Sequence, residues 1–270
     1  FKRGGFKFTQ DDSRWNASWG RQFTKEEYMR CKAWQKVNHF AGAFLMGRKD
    51  NLHNRMQELR SRVGNCASFY PESYLLPKDQ KLLNMNWKNH RAWIVKPSAS
   101  SRGRGIYMVS SNDCEPVTDA GIVQVYIPNP LLIEKRKFDI RLYVLVTRLE
   151  PLRIYIHSAG LARFCTHEYD PDGDINDKQM HLTNFSVNKT DKQFVRNDDP
   201  DKENITNSKW SLKFFLQYMK HVGQNPEALM REFERISIAT IIAGVCEIKK
   251  THKQLIKHRH TSYEMYGLDI

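Results

Sequence analysis

Lys96 closes the apolar run Trp93-Ile94-Val95 and is followed by Pro97-Ser98-Ala99-Ser100-Ser101-Arg102-Gly103-Arg104-Gly105. Small hydroxyls, two glycines and two guanidinium groups, set between two strand-like runs, make a loop whose backbone N–H groups and arginines can wrap phosphates. A compact ammonium at the strand end reaches the same anions. The same composition also suits a solvated hairpin tip. No Gly-x-x-x-x-Gly-Lys run occurs, and no helix follows the glycines, so the loop is neither a P-loop nor a dinucleotide-binding turn.

A second set of polar residues lies further on. Lys137, Asp139 and Arg141 alternate along one strand-like segment and therefore share a face, opposite Phe138, Ile140, Leu142, Val144 and Val146. Such a row is either a solvated face with ion pairs or a buried row that binds a charged ligand. Arg163, on the second strand after Arg141, can join it across the sheet, and two guanidinium groups suit a carboxylate or an acyl phosphate. His181-Leu182-Thr183-Asn184 offers an imidazole, a hydroxyl and an amide for a ribose, a phosphate or a metal, or it is a satisfied structural group. Asp269, in Tyr266-Gly267-Leu268-Asp269-Ile270, is a carboxylate in an apolar strand, where Mg²⁺ is one partner and a strand-end turn the other reading.

The elements that position these residues follow from periodicity. Thr24 and Glu27 form a capping box for a helix over 24–37 with Tyr28, Cys31 and Trp34 on one face. A second helix runs from Asp50 to a stop at Gly64. Pro71 and Pro77 bracket Tyr74-Leu75-Leu76 ahead of a helical turn through 81–85. Strands are expected at 93–96, 106–109 and 122–126, then at 138–147, 152–156 and 161–165 as an antiparallel meander. Asp191 to Ser208 reads as a surface loop. Trp210, Phe214, Tyr218 and Val222 step as a helix ending at Gly223, Asn225-Pro226 opens a long helix through Ile248, and 263–270 begins a further strand. Trp15 and Trp19 read as core packing.

The 270 residues are 40% hydrophobic and 27% charged, which suits a folded chain with a substantial core. A net charge of +13 exceeds what solubility needs and points to a polyanionic partner. Five widely spaced cysteines, Cys31, Cys66, Cys114, Cys165 and Cys246, read as structural thiols of a reducing compartment. The apolar stretch from Ile236 to Cys246 is shorter than a membrane span requires, and 1–10 carries no secretory signal pattern. His252, His258 and His260 among Lys249, Lys250, Lys253, Lys257 and Arg259 read as a basic surface. No nucleic-acid recognition motif accompanies the dispersed basic residues.

Four motifs in order carry a resemblance: Trp93-Ile94-Val95-Lys96-Pro97, Arg102-Gly103-Arg104-Gly105-Ile106, Lys137-Phe138-Asp139-Ile140-Arg141 and His181-Leu182-Thr183-Asn184. Over nearly its whole length the chain resembles the tubulin tyrosine ligase-like enzymes. Asn38-His39-Phe40, Arg48-Lys49-Asp50, Asn129-Pro130-Leu131-Leu132-Ile133 and Gly160-Leu161-Ala162-Arg163-Phe164 resemble the polyglutamylase branch in particular.

The resemblance implies an α+β ATP-grasp fold, with an N-terminal domain over 1–65, a central domain over 66–127 and a C-terminal domain over 128–270, the last two closing on ATP. It implies that Lys96 and the loop Ser101, Arg102, Gly103, Arg104 and Gly105 hold phosphates, and that Gln124, Val125, Tyr126 and Ile127 form the hinge that meets adenine. Lys137 and Asp139 would reach the nucleoside, His181, Thr183 and Asn184 would line the pocket, and Arg141 and Arg163 would face the γ-phosphate and the substrate carboxylate. Asp269 would be a magnesium ligand, with a Glu and an Asn expected in a strand beyond Ile270, so that the C-terminal domain is expected to be incomplete here. Val125 and Ala159 stand where the family commonly has a charged residue and a Glu.

The implied activity is ATP- and Mg²⁺-dependent carboxylate–amine ligation: a monomeric tubulin polyglutamylase that joins free glutamate to the acidic C-terminal tails of tubulin in microtubules. The cytoplasm, the microtubule cytoskeleton and the cilium or basal body are the implied locations, with no membrane or nucleic-acid partner. A microtubule-binding pseudoenzyme and a glycine or tyrosine ligase are the alternatives.

Overall fold

The computed structural model describes residues 2–11, 13–197, 203–258 and 260–270. The chain is mixed α/β, built around a four-stranded and a six-stranded sheet.

The N-terminal segment pairs β1 (Ala17–Ser18) in parallel with β2 (Lys36–Val37). Between them α1 (Lys25–Arg30) starts at the expected capping box, with Thr24 Oγ1 accepting from Glu27 N at 3.3 Å and Glu27 Oε2 accepting from Thr24 N at 2.7 Å. The helix expected through Val37 ends at Arg30. Cys31 leaves the helical region, the chain turns through Lys32 to Gln35, and the Val37 N–H goes instead to the Thr261 carbonyl at 2.7 Å. Long-range pairing thus overrides local periodicity, and Trp34 is left 61% exposed. Trp19 is likewise exposed rather than part of a core, while Trp15 packs beside Tyr28 and Val37.

After the short α2 (Phe44–Gly47), α3 (Lys49–Val63) buries His53 and Met56 and stops at Gly64 as expected. Then β3 (Ser73–Leu76), α4 (Gln80–Asn86), β4 (Ala92–Lys96), β5 (Tyr107–Ser110) and β6 (Gly121–Val125) form the four-stranded sheet in the order β3-β6-β4-β5. Its core is Leu83, Trp87, Trp93, Val95 and Val123, with Trp87 stacked on Trp93 at 5.5 Å.

The six-stranded sheet is organised by β8 (Arg136–Leu149), preceded by the short β7 (Leu132–Ile133). The alternation along β8 is as expected: Ile140, Leu142, Val144 and Val146 are buried, each contributing about 2 kcal/mol. The expected meander is instead a hairpin with an interrupted return strand. Both β9 (Leu152–Ile156) and β10 (Leu161–Phe164) run antiparallel along the same edge of β8, opposite 144–149 and 138–141 respectively. The bulging residues 157–160 between them stay attached through His157 N to the Tyr143 carbonyl at 2.9 Å.

Two short helices, α5 (Lys178–His181) and α6 (Phe185–Asn188), precede β11 (Lys209–Ser211), and the expected loop between includes 198–202, which lie outside the described residues. Trp210 belongs to β11, so α7 (Leu212–His221) starts at its Ser211 cap and buries Leu212, Phe215 and Met219, a face rotated from the expected one. The cap of Asn225 and Pro226 opens α8 (Pro226–Leu255), seven residues longer than expected. It covers the sheet with Phe233, Ile241 and Ile248, and β12 (Glu264–Asp269) adds to the free edge of β8. Among the described residues no helix is long and apolar enough to cross a membrane.

Cys31 and Cys165 are buried and Cys114 and Cys246 exposed; the side chain of Cys66 and the whole of Arg259 lie outside the described residues. His252 corrects the expectation of a uniformly basic surface: the ring of Phe40 packs edge-on against it at 5.2 Å, and its Nδ1 accepts from Ala41 N at 3.3 Å. Burial pushes its pKa down to about 4 from 6.5, so the folded chain takes up this proton less readily than the unfolded chain. Its contribution to stability is therefore complete above about pH 6.5 and is lost as pH falls toward 4. Urea midpoints measured at neutral and mildly acid pH are expected to drop in the wild type, and to drop less in His252→Phe.

Candidate functional site

Three lysines from separate elements converge where the two sheets meet. Lys96, at the end of β4, donates to Gln124 Oε1 at 2.6 Å, and Gln124 Nε2 donates onward to Ser73 Oγ at 2.7 Å. Lys137, on β8, donates to the Tyr126 hydroxyl at 3.0 Å and the His181 carbonyl at 3.1 Å, with its Nζ 4.3 Å above the Tyr126 ring. Lys49, first in α3, donates to the Pro97 carbonyl at 3.3 Å and to the Ser100 carbonyl. Every one of these acceptors is neutral.

Burial pushes Lys96 down to about 8, helped by the like charges of Lys137 and Lys49; burial likewise brings Lys137 to about 8 and lowers Lys49. Half-buried ammonium groups whose hydrogen-bond acceptors are all neutral are costly unless an anion offsets them, and here only the nearby charges of Asp269, Asp139 and Asp50 oppose the cost of burial. The arrangement suits an anion.

The loop after Lys96 is not a free hairpin tip. Ser186 Oγ on α6 donates to the Arg102 carbonyl at 2.6 Å. Gly103, at φ +73°, lies so close to α6 that a Cβ there would meet Val187 Cγ2 at 3.0 Å and Asn184 Oδ1 at 3.1 Å. The side chains of Ser101, Arg102 and Arg104 are exposed, so the loop brings its backbone, rather than its guanidinium groups, toward the lysines. At the hinge, the Val125 and Tyr126 N–H groups are bonded to the Glu72 and Ala92 carbonyls. That leaves Ile127 as the hinge amide without a backbone partner among the described residues.

Beside the lysines, on the same face of β8, sits a network of two carboxylates and two guanidinium groups. The register sets Arg163 opposite Asp139 and Asp269 opposite Arg141. Arg163 Nε donates to Asp139 Oδ1 at 2.8 Å, its second nitrogen bonds Asp139 Oδ2, and it reaches Asp269 Oδ1 at 2.9 Å. Arg141 grips Asp269 with both Nε and a terminal nitrogen, the latter at 2.9 Å from Oδ2. Gly267 permits this, because a Cβ there would lie 3.0 Å from that guanidinium group. Burial opposes the charge on Arg163, but Asp139 and Asp269 outweigh it and raise its pKa. Burial also opposes charge on Asp269, and Arg141 and Arg163 outweigh it, so its pKa is lowered.

Asp139, expected as an acceptor for hydroxyls, already receives Arg163 and the Thr183 hydroxyl at 2.8 Å. His181 sits on α5 rather than near a strand end. Its Nε2 donates to the Asp174 carbonyl at 3.1 Å and its Nδ1 accepts from the Tyr126 hydroxyl at 2.9 Å, which fixes the neutral tautomer; burial lowers its pKa to match.

A cleft of about 480 Å³ opens elsewhere, between α3, α4 and β3, lined by His53, Arg55, Tyr74 and Lys78. None of Lys96, Lys137, Asp139 or Asp269 lines it, and chemistry rather than size marks the candidate site. Among the described residues no group of three His, Cys, Asp or Glu side chains could hold a metal, so Asp269 is a single carboxylate donor.

The sequence pattern described as the tubulin-tyrosine ligase family matches residues 25–270. The chain belongs to the tubulin-tyrosine ligase family. It is 36% identical to the human tubulin monoglutamylase TTLL4 over 272 residues, 99% of this chain and 22% of that protein. It is 42% identical to the human tubulin polyglutamylase TTLL5 over 239 residues, covering 87% of this chain and 19% of that protein, and 35% identical to the Caenorhabditis elegans tubulin polyglutamylase ttll-4, covering 93% and 41%. The chain thus spans about a fifth of the two human relatives and about two fifths of the nematode one.

In this member of the tubulin-tyrosine ligase family the structure brings Lys96, Gln124, Tyr126, Lys137 and His181 into one cluster, and Asp139, Arg141, Arg163, Thr183 and Asp269 into the next. Val125 joins neither, and Asn184 lies with its side chain beside Gly103 of the loop and its carbonyl accepting from Asn188. Three residues at the site escaped the sequence reading. Lys49 was visible only as part of Arg48-Lys49-Asp50, and nothing marked Ser73 or the buried Asn188, whose amide binds Thr166 N at 2.9 Å and the Leu182 carbonyl at 2.7 Å.

Proposed function

We propose that this protein is an ATP-grasp tubulin glutamylase, joining glutamate to glutamate side chains of tubulin C-terminal tails. The observation that carries the reading is the convergence of Lys49, Lys96 and Lys137, with neutral partners only, beside the Asp139–Arg163–Asp269–Arg141 network.

The donor set suits a polyphosphate: half-buried ammonium groups hydrogen-bonded only to neutral acceptors, next to a loop whose Pro97 and Ser100 carbonyls are held by Lys49. Lys96 and the loop from Ser101 to Gly105 would hold the phosphates, with Lys49 bracing the loop through its carbonyls. Ile127 would present its amide to adenine. Lys137, kept in place by Tyr126 and His181, would reach the nucleoside. Asp269 fits Mg²⁺ as one carboxylate among phosphate oxygens and waters, which is how that ion is commonly held.

ATP would supply the phosphoryl group that makes a tail γ-carboxylate an acyl phosphate, with ADP leaving; the amine of free glutamate would attack the acyl carbon and lose a proton, and inorganic phosphate would leave as the amide bond forms. Arg141 and Arg163 would face the carboxylate and offset developing charge; their orientation is already fixed by Asp139 and Asp269, which supports this reading. The +13 charge suits an acidic tail as the acceptor, with association that weakens as salt rises. The names of the relatives support glutamate as the donated amino acid.

Microtubules incubated with the protein, ATP and labelled glutamate, glycine or tyrosine are expected to take up glutamate, and not to do so once their tails are removed. Uptake of glycine or tyrosine instead would replace the donor, and microtubule binding without uptake of any of the three would replace the enzyme with a binding module.

A further inference from the structure

His167 lies between β10 and α5, outside the two clusters described above, and both of its ring nitrogens face carboxylates. Its Nδ1 is 2.6 Å from Asp177 Oδ2 and its Nε2 is 3.1 Å from Asp191 Oδ2. A neutral imidazole has one N–H and one lone pair, so it can donate to only one of these oxygens and turns its lone pair on the other. The imidazolium donates to both.

The two carboxylates hold the wall of the proposed nucleotide cleft. Asp177 caps α5, its Oδ1 accepting from Gln179 N at 3.0 Å and Met180 N at 3.1 Å, and α5 ends in His181, the residue that fixes Tyr126 and Lys137. Asp191 closes the turn after α6, with its N–H on the Asn188 carbonyl at 2.9 Å and its Oδ1 accepting from Gln193 N at 2.7 Å. Asn188 in turn ties Thr166 and Leu182 together, and α6 supports the phosphate loop through Ser186. The His167 N–H adds a bond to the Gln179 carbonyl at 3.3 Å.

Asp177 and Asp191 are the charged groups that face the ring among the described residues, and the adjacent Glu168 turns away toward Lys135 at 3.6 Å. Hydrogen bonding to Asp177, against the cost of burial, raises the His167 pKa above 6.5.

We propose that His167 is a positioning residue that works as a proton-dependent clip: its imidazolium ties Asp177 to Asp191 and so steadies the α5–α6 wall, and loss of that proton loosens the wall and weakens nucleotide binding. The inference rests on the nucleotide reading of the cleft and adds a dependence on pH near neutrality to it. Because the folded pKa is raised, the clip is complete well below pH 6.5 and is lost as pH rises through the folded value.

Two measurements test it. An NMR titration of the His167 ring is expected to give a midpoint above 6.5, moving back toward 6.5 in Asp191→Asn. Calorimetric binding of adenylyl imidodiphosphate between about pH 6 and about pH 8.5 is expected to weaken by about threefold at that midpoint. Lys96 and Lys137 impose a fall of their own near pH 8, which the His167 variants keep and which their profiles subtract. His167→Gln is expected to bind at the weaker level throughout, without the first step. His167→Lys, an ammonium group over the whole range, is expected to keep the tighter level and also lack the first step.

A ring midpoint at or below 6.5, or a first step that survives in His167→Lys, overturns the clip. If adenylyl imidodiphosphate binds none of the proteins, the nucleotide reading falls and takes that half of the proposal with it, while the ring titration still decides whether His167 joins the two carboxylates.

Discussion

Lys96→Ala is expected to lower kcat/KM for ATP-dependent ligation by about a hundredfold to a thousandfold, the loss typical when a preorganised donor to developing negative charge is removed. It is also expected to leave the fold as stable as the wild type or more so at neutral pH. The second expectation separates the account from a structural role for this lysine. Lys96 is charged in a place where burial and two like charges oppose its charge, and its partner Gln124 is neutral, so the folded chain gains when the ammonium group is deleted.

The pH dependence has the matching sign. With a folded pKa near 8 and an unfolded value of 10.5, the unfolded chain binds more protons between those limits, so wild-type stability rises with pH across that window. Nucleotide affinity falls over the same window as the ammonium group empties. Thermal melts and binding titrations run in parallel on wild type and Lys96→Ala check both: the variant is expected to show a shallower rise in melting temperature and, with Lys137 alone still losing its proton near pH 8, a smaller fall in its residual affinity.

Arg163→Leu is expected to do the reverse, costing stability as well as activity. Its guanidinium group, with its side chain only 11% exposed, reaches from β10 to join Asp139 on β8 to Asp269 on β12, which Arg141 on β8 also grips. Removing it leaves Asp139 with Thr183 alone and Asp269 with Arg141 alone, and breaking a buried pair of this kind costs about 3 kcal/mol. Urea unfolding is expected to show that loss as a lower midpoint with an unchanged slope. Asp139→Asn in the same background is expected to recover part of it, since one of the stranded charges is then gone. Ligation by Arg163→Leu is expected to fall by about a hundredfold or more.

Much of this architecture is legible in the residues because it is local. The alternation of Ile140, Leu142, Val144 and Val146 fixes which face of β8 is buried, and with it the shared outer face of Lys137, Asp139 and Arg141. Capping residues place the starts of α1 and α8, and Gly64 places the end of α3. The failures are long-range. Val37 reads as helical by spacing, yet its N–H is claimed by a carbonyl at Thr261. The return strand after β8 splits into β9 and β10 on one edge, because β12, arriving from the end of the chain, takes the other.

The site divides in the same way. Residue types and order identify Lys96, Asp139, Arg163 and Asp269, but which of them pair depends on register. Asp139 and Asp269 are fixed by arginines before any ligand arrives, which no spacing announces. Lys49 looks like the start of a helix until α3 is packed against the loop whose carbonyls it holds.

The central claim is that a tail carboxylate is activated by phosphorylation beside the lysine cluster and the Asp139–Arg163–Asp269–Arg141 network. A tubulin tail peptide whose glutamate γ-carboxyl groups carry ¹⁸O, incubated with the protein, ATP, Mg²⁺ and glutamate, tests it most directly through mass analysis of the inorganic phosphate released. The account predicts one ¹⁸O in phosphate for each glutamate joined, and about a hundredfold to a thousandfold slower appearance of both with Lys96→Ala. Glutamate joined to the peptide with phosphate free of ¹⁸O, or ¹⁸O transfer undiminished in Lys96→Ala, would contradict it.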